Sequence, residues 1–129
     1  MCLYVTAKNG RKPRLRVDRK DMTVYKVINN NNVSYHTGFQ YLPNTEYDHG
    51  KPLEILPESG IVATYGVSEG FHSYYTYKSG LITFDMMTWA ACDVKLVAFI
   101  IPKGAKFLRG VYDEVVSDKI RSGTLERLI

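Results

Sequence analysis

Gly70-Phe71-His72-Ser73 joins a flexible glycine, an aromatic ring, an imidazole and a hydroxyl within four residues. At a strand-to-helix junction such a group suits phosphate. The free amides and dipole of a helix N-terminus favour anions, and His72 can donate a hydrogen bond or act as acid or base. The plainer alternative is that Phe71 fills the core while His72 bonds a backbone carbonyl. A second element, Pro102-Lys103-Gly104-Ala105-Lys106, is a cationic turn whose glycine permits close approach of a ligand. It lacks the full phosphate-loop spacing, so turn chemistry explains it equally well. Tyr25, Tyr35, Tyr41, Tyr65, Tyr74, Tyr75 and Tyr77 make the middle of the chain rich in a side chain suited to ligand stacking and interfaces, though sheet faces also favour it. The candidate ligand contacts are therefore Tyr25, Lys26, His36, Tyr41, Phe71, His72, Ser73 and Lys103.

No catalytic residue is assigned. Removal of Met1 would expose Cys2 as an amino-terminal nucleophile, but no accompanying motif supports it, and a small residue opening the strand Leu3-Tyr4-Val5 is the commoner case. His36, His49 and His72 are spaced unlike any local metal-ligand pattern, so neither a metal nor a cofactor is expected.

Charge is asymmetric. Residues 1–26 carry eight lysines and arginines against two aspartates, a local +6 within a chain of net charge +4. Clustered cations attract phosphate groups, although a turn-rich loop such as Lys8-Asn9-Gly10-Arg11-Lys12 is often merely solvated. No aromatic residue interleaves the basic ones between Tyr4 and Tyr25, which favours a small anionic ligand over a nucleic-acid polymer.

These residues need elements to hold them. Thr23–Ile28, Asn29–Asn32 and Val33–His36 read as strand, turn and strand, and Gly38–Leu42 as another short strand. Residues 47–57 read as a loop with a short extended piece, and Gly60–Val67 as a strand bounded by glycines. One principal helix is expected, capped by Ser79, with Leu81, Phe84, Met87 and Ala91 at helical spacing and Gly80 awkward in its first turn. Val94–Ile101, apolar on both faces apart from Lys95, should be a central strand ended by Pro102. Lys106–Tyr112, Glu114–Ser117, Lys119–Arg121 and Thr124–Ile129 supply further strands. The fold expected is α+β: a strand-dominated single domain over residues 1–129, with a mixed or antiparallel sheet and one principal helix.

The 129 residues are 45% apolar and 23% charged, which fits one domain and excludes wholesale disorder. No apolar run approaches the roughly 20 residues of a membrane-spanning helix. With two cysteines and no apolar leader after Met1, reduced thiols and a cytoplasmic location are expected.

Met1-Cys2-Leu3-Tyr4, Val24-Tyr25-Lys26-Val27, Gly38-Phe39-Gln40-Tyr41, Glu69-Gly70-Phe71-His72-Ser73, Ile101-Pro102-Lys103-Gly104-Ala105 and Ser117-Asp118-Lys119-Ile120, in that order, span nearly the whole chain. The assembly resembles small accessory proteins encoded by bacteriophages and prophages, a family to which no activity is attached. There the Gly-Phe-His-Ser block runs into a charged amphipathic helix, whereas Tyr74–Ala91 here is aromatic, apolar and threonine-rich. The resemblance implies an accessory product acting in the bacterial cytoplasm during infection. The leading expectation is a non-enzymatic protein that binds a small anionic or nucleotide-like ligand, or a host defence protein, and counters defence by sequestration. The alternatives are a small nucleotide-acting enzyme similar to ADP-ribosyltransferases, using Tyr25 or His36 with His72 and Glu114, and a structural or packaged virion protein. A homo-oligomer is compatible with each, and no membrane partner is expected.

Overall fold

The computed structural model describes residues 3–6, 12–34, 38–57, 64–67, 69–90 and 93–129, with the side chains of 3–6 and 64 outside the description. Its elements are β1 (Leu3–Thr6), β2 (Arg16–Val17), β3 (Met22–Asn29), β4 (Glu46–Asp48), β5 (Leu56–Pro57), β6 (Thr64–Val67), β7 (Phe71–Tyr74), α1 (Tyr77–Trp89), β8 (Val94–Ile101), β9 (Lys106–Arg109), β10 (Glu114–Ser117) and β11 (Lys119–Ser122). An antiparallel sheet of eight strands runs β2-β9-β10-β7-β3-β8-β11-β4, and a smaller sheet runs β1-β6-β5. The fold is α+β and strand-dominated, with one principal helix, and its sheets are antiparallel.

The longest ladder pairs β3 with β8 over eight residues, from Met22 opposite Ile101 to Asn29 opposite Val94. Side chains alternate across a strand, so Val24, Lys26 and Ile28 share one buried face of β3 while Tyr25 lies on the other. The first face meets Phe71, Val97, Phe99, Ile101, Val115 and Ile120 in the main core. On the second, α1 packs over β3, β8 and β7. Its approach explains Gly80: a Cβ there would lie 3.0 Å from the Cβ of Tyr25 and 3.1 Å from Leu96 Cδ1. A smaller cluster of Leu53, Ile55, Val67, Leu108 and Val116 packs separately.

Several expected boundaries move. The helix is capped by Thr76, whose Oγ1 accepts from the Ser79 amide, and it runs from Tyr77 to Trp89 rather than from Ser79 to Ala91. The chain reverses at the asparagines, with Asn32 at positive φ, but the described part of its return limb pairs only through the isolated bridges Ile28–Ser34 and Val33–Gln40. β8 takes one edge of β3 along its whole length, and on the other edge β7 pairs at Tyr25 alone. Gly38–Leu42 forms a loop that buries Tyr41. Within 47–57 the extended pieces are β4, on β11, and β5, on β6. Thr124–Ile129 forms no strand; there Leu125 is buried at φ 61° and its carbonyl accepts from Lys95 Nζ at 2.7 Å.

Candidate ligand-binding cleft

β3 and β7 pair at Tyr25–Tyr74 alone. Beyond that pair a cavity of about 1520 Å³ is bordered by Lys26 and Val27 from β3 and by Phe71–Tyr74 from β7. One wall is α1, through Lys78, Ile82, Thr83, Met86 and Met87, and another is the loop carrying Ser34, Gly38, Phe39 and Tyr41. His49, Lys51, Glu69, Tyr112, Asp113 and Glu114 also line it.

The cleft floor is aromatic. Tyr41 sits edge-on to Phe99 at 4.8 Å and to Tyr47 at 5.4 Å, and Phe39 meets Tyr41 at 4.9 Å and Phe71 at 6.1 Å. Edge-to-face packing of this kind fixes the rings against one another. Burial, reinforced by the neighbouring Tyr47 hydroxyl, pushes the Tyr41 hydroxyl well above its usual range, so it stays protonated.

Lys26 is the unusual group. Only 8% exposed, it donates its ammonium to the backbone carbonyl of His72 and lies over the rings of Tyr41, at 5.7 Å, and Phe99, at 5.8 Å. Among the described residues it makes no ion pair. Burial without a counter-charge disfavours the ammonium and lowers its pKa from 10.5 to about 8. Tyr25 and Tyr74 are register partners, so their neighbours Lys26 and Ser73 project on the opposite, shared face. The Ser73 hydroxyl, 3% exposed, has no hydrogen-bond partner among the described residues.

Other charges in the cleft are largely committed. Lys51 and His49 lie 3.8 and 3.7 Å from Glu69. Asp113 accepts from the hydroxyls of Thr76 and Ser79 and lies 3.6 Å from Arg109. Burial raises the Glu114 carboxyl above the ordinary range. Among the described residues no three histidine, cysteine or acidic side chains gather as a metal site.

Five of the eight candidates, Lys26, Tyr41, Phe71, His72 and Ser73, line this one cleft. Tyr25 does not: it lies under α1, edge-on to Tyr77 at 5.6 Å. Lys103 is exposed in the turn after β8, its amide donating to Asp21. His36, Tyr35, Cys2 and Cys92 lie outside the described residues. The strand-to-helix geometry is also revised. Gly70-Phe71-His72-Ser73 runs into and forms most of β7, and the start of α1 is occupied by the chain's own Thr76 and Asp113 rather than open to phosphate. Lys26 is the cation of the basic amino-terminal region that lines the cleft among the described residues, and it is buried. Lys51, Lys78 and the 112–114 turn reach the cleft through long-range register, for which no local sequence signal exists.

No family model matches the chain, and no curated protein or solved structure matches it. No helix among the described residues is long and apolar enough to cross a membrane.

Proposed function

We propose that this protein binds a nucleotide-like ligand in the cleft between β3 and β7 without turning it over. The observation that carries this reading is the union, in one cavity, of aromatic and aliphatic walls with an ammonium that has no counter-ion among the described residues. Phe39, Tyr41, Ile82 and Met86 suit a planar, largely apolar ring system. Lys26 and the Ser73 hydroxyl, unpartnered among the described residues, suit an oxyanion attached to it. The biological setting we infer, from the resemblance to phage accessory proteins, is the bacterial cytoplasm during infection, with sequestration of a nucleotide signal as the means of countering host defence.

Thermal stability measured against mono-, di- and cyclic nucleotides, with mass spectrometry of each mixture, tests this directly, because selective binding raises the melting temperature by mass action. A shift with the nucleotide unchanged sustains binding without turnover. A shift with a new mass supports a second reading, a nucleotide-acting enzyme. One observation favours that reading: Glu114, whose carboxyl burial makes more basic, is the register partner of Tyr74 and lines the same cleft as His72. No shift with any nucleotide overturns both.

A further inference from the structure

Lys26 has a chemistry that electrostatic binding alone does not use. An ammonium has three donors, and the His72 carbonyl takes one. The remaining donors face aromatic rings and the cavity, with no carboxylate in ion-pair range among the described residues. Beside it on the same face is Ser73, whose buried hydroxyl is unpartnered among the described residues.

We propose that Lys26 is a carbonyl-capturing amine, which forms a reversible imine with an aldehyde attached to an anionic group. This deepens the cleft reading and rests on it: Lys26 would meet the carbonyl, and Lys78, which lines the same cleft, the anionic group. The neutral Nζ adds its lone pair to the carbonyl carbon, the C=O π pair moves to oxygen, and a proton passes from nitrogen to that oxygen. Loss of water from this carbinolamine leaves a C=N bond, and water reverses the step without oxidant or reductant. Two features favour it over the exposed lysines. With a pKa of about 8 rather than 10.5, the neutral amine is roughly 300-fold more abundant at neutral pH. The surrounding rings also exclude bulk water, which favours the condensed product.

The test uses the full chain with pyridoxal 5′-phosphate as probe, reduction with cyanoborohydride at mildly alkaline pH, and peptide mapping. We expect the reduced adduct on Lys26 in preference to Lys51, Lys78 and Lys103, and its loss in Lys26→Arg, which keeps the cation but forms no imine. In parallel, pyridoxine 5′-phosphate, which lacks the carbonyl, is measured by thermal shift in wild type and Lys26→Arg. Adducts spread over exposed lysines with Lys26 unmodified overturn the proposal. If pyridoxine phosphate or a nucleotide still stabilises the protein in that case, the cleft reading survives and the imine alone fails. Labelling of Lys26 with no stabilisation by any nucleotide sustains the imine and removes the nucleotide reading.

Discussion

Lys26 donates its ammonium to the backbone carbonyl of His72 just where the β3–β7 ladder stops, one residue past the Tyr25–Tyr74 pair. A side chain thus replaces a main-chain ladder bond and holds the two strands at the mouth of their divergence. The same bond leaves a buried cation facing the cavity. A wholly structural staple and a ligand anchor are separable, because the first is needed for stability and the second is not.

The stability cost of Lys26 sets a pH dependence. Its folded pKa, about 8, lies below its unfolded value of 10.5, so between those values the unfolded chain binds more protons. Stability therefore rises with pH through that window, and the full penalty, on the order of 3 kcal/mol, is present below about pH 8. Chemical denaturation should show a gain of about 2 kcal/mol between about pH 7.5 and about pH 9.5. In Lys26→Met the gain should vanish, and the variant should be at least as stable as wild type at the lower pH. Tyr41 and Tyr74, whose hydroxyls burial pushes up, oppose this only nearer the ordinary tyrosine range.

Two glycines are fixed by close approach. Gly70 sits at φ +130° with a would-be Cβ 2.7 Å from both Leu53 Cδ2 and Val116 Cγ2, so Gly70→Ala should destabilise by about 2 kcal/mol or more. Gly80→Ala gains about 1 kcal/mol of helix propensity but meets the Tyr25 Cβ, held by two ladders. We expect a net loss near 1 kcal/mol, read by thermal or chemical denaturation; a net gain would show that α1 lies farther from the sheet.

Among the candidate contacts, position decides the effect on binding. Phe39→Ala and Lys26→Met, at the cleft, should each weaken binding of a stabilising nucleotide at least about tenfold, or about 1.4 kcal/mol. Lys103→Ala should leave the affinity unchanged, because its amide serves Asp21 and its side chain lies off the cleft. Calorimetric titration of the three variants checks the pattern.

The single tryptophan reports an exposed face at the C-terminal end of α1. Trp89 is 92% exposed, so emission should be that of a solvated indole and iodide should quench it freely. Shielded emission that becomes solvated on dilution would instead mark this face as covered by another copy, as expected of a virion component.

The strands that carry the sheet were legible in the sequence where both faces are buried or alternation is regular. Val94–Ile101 and Glu114–Ser117 fall where the apolar pattern put them. The helix starts earlier than the sequence suggests because the cap is Thr76, whose backbone is extended and whose Oγ1 accepts from the Ser79 amide. The cleft was half legible: an aromatic, imidazole and hydroxyl in a row drew attention to β7. Its partner across the gap, Lys26, is among the candidate contacts too, but nothing in its basic segment marks it as a buried cation. Burial and the splaying of two strands are properties of register, and no local pattern of residue types encodes them.

Nuclear magnetic resonance titration of the labelled chain with a nucleotide that raises its melting temperature tests the cleft most directly. We expect the largest shift changes at Lys26, Phe39–Tyr41, Phe71–Ser73 and the α1 residues Ile82, Thr83 and Met86, lost in Lys26→Met. Changes concentrated instead at Arg16, Lys20 and Arg109, which line a separate cavity of about 510 Å³, or around Lys103, would place the ligand elsewhere and contradict the assignment.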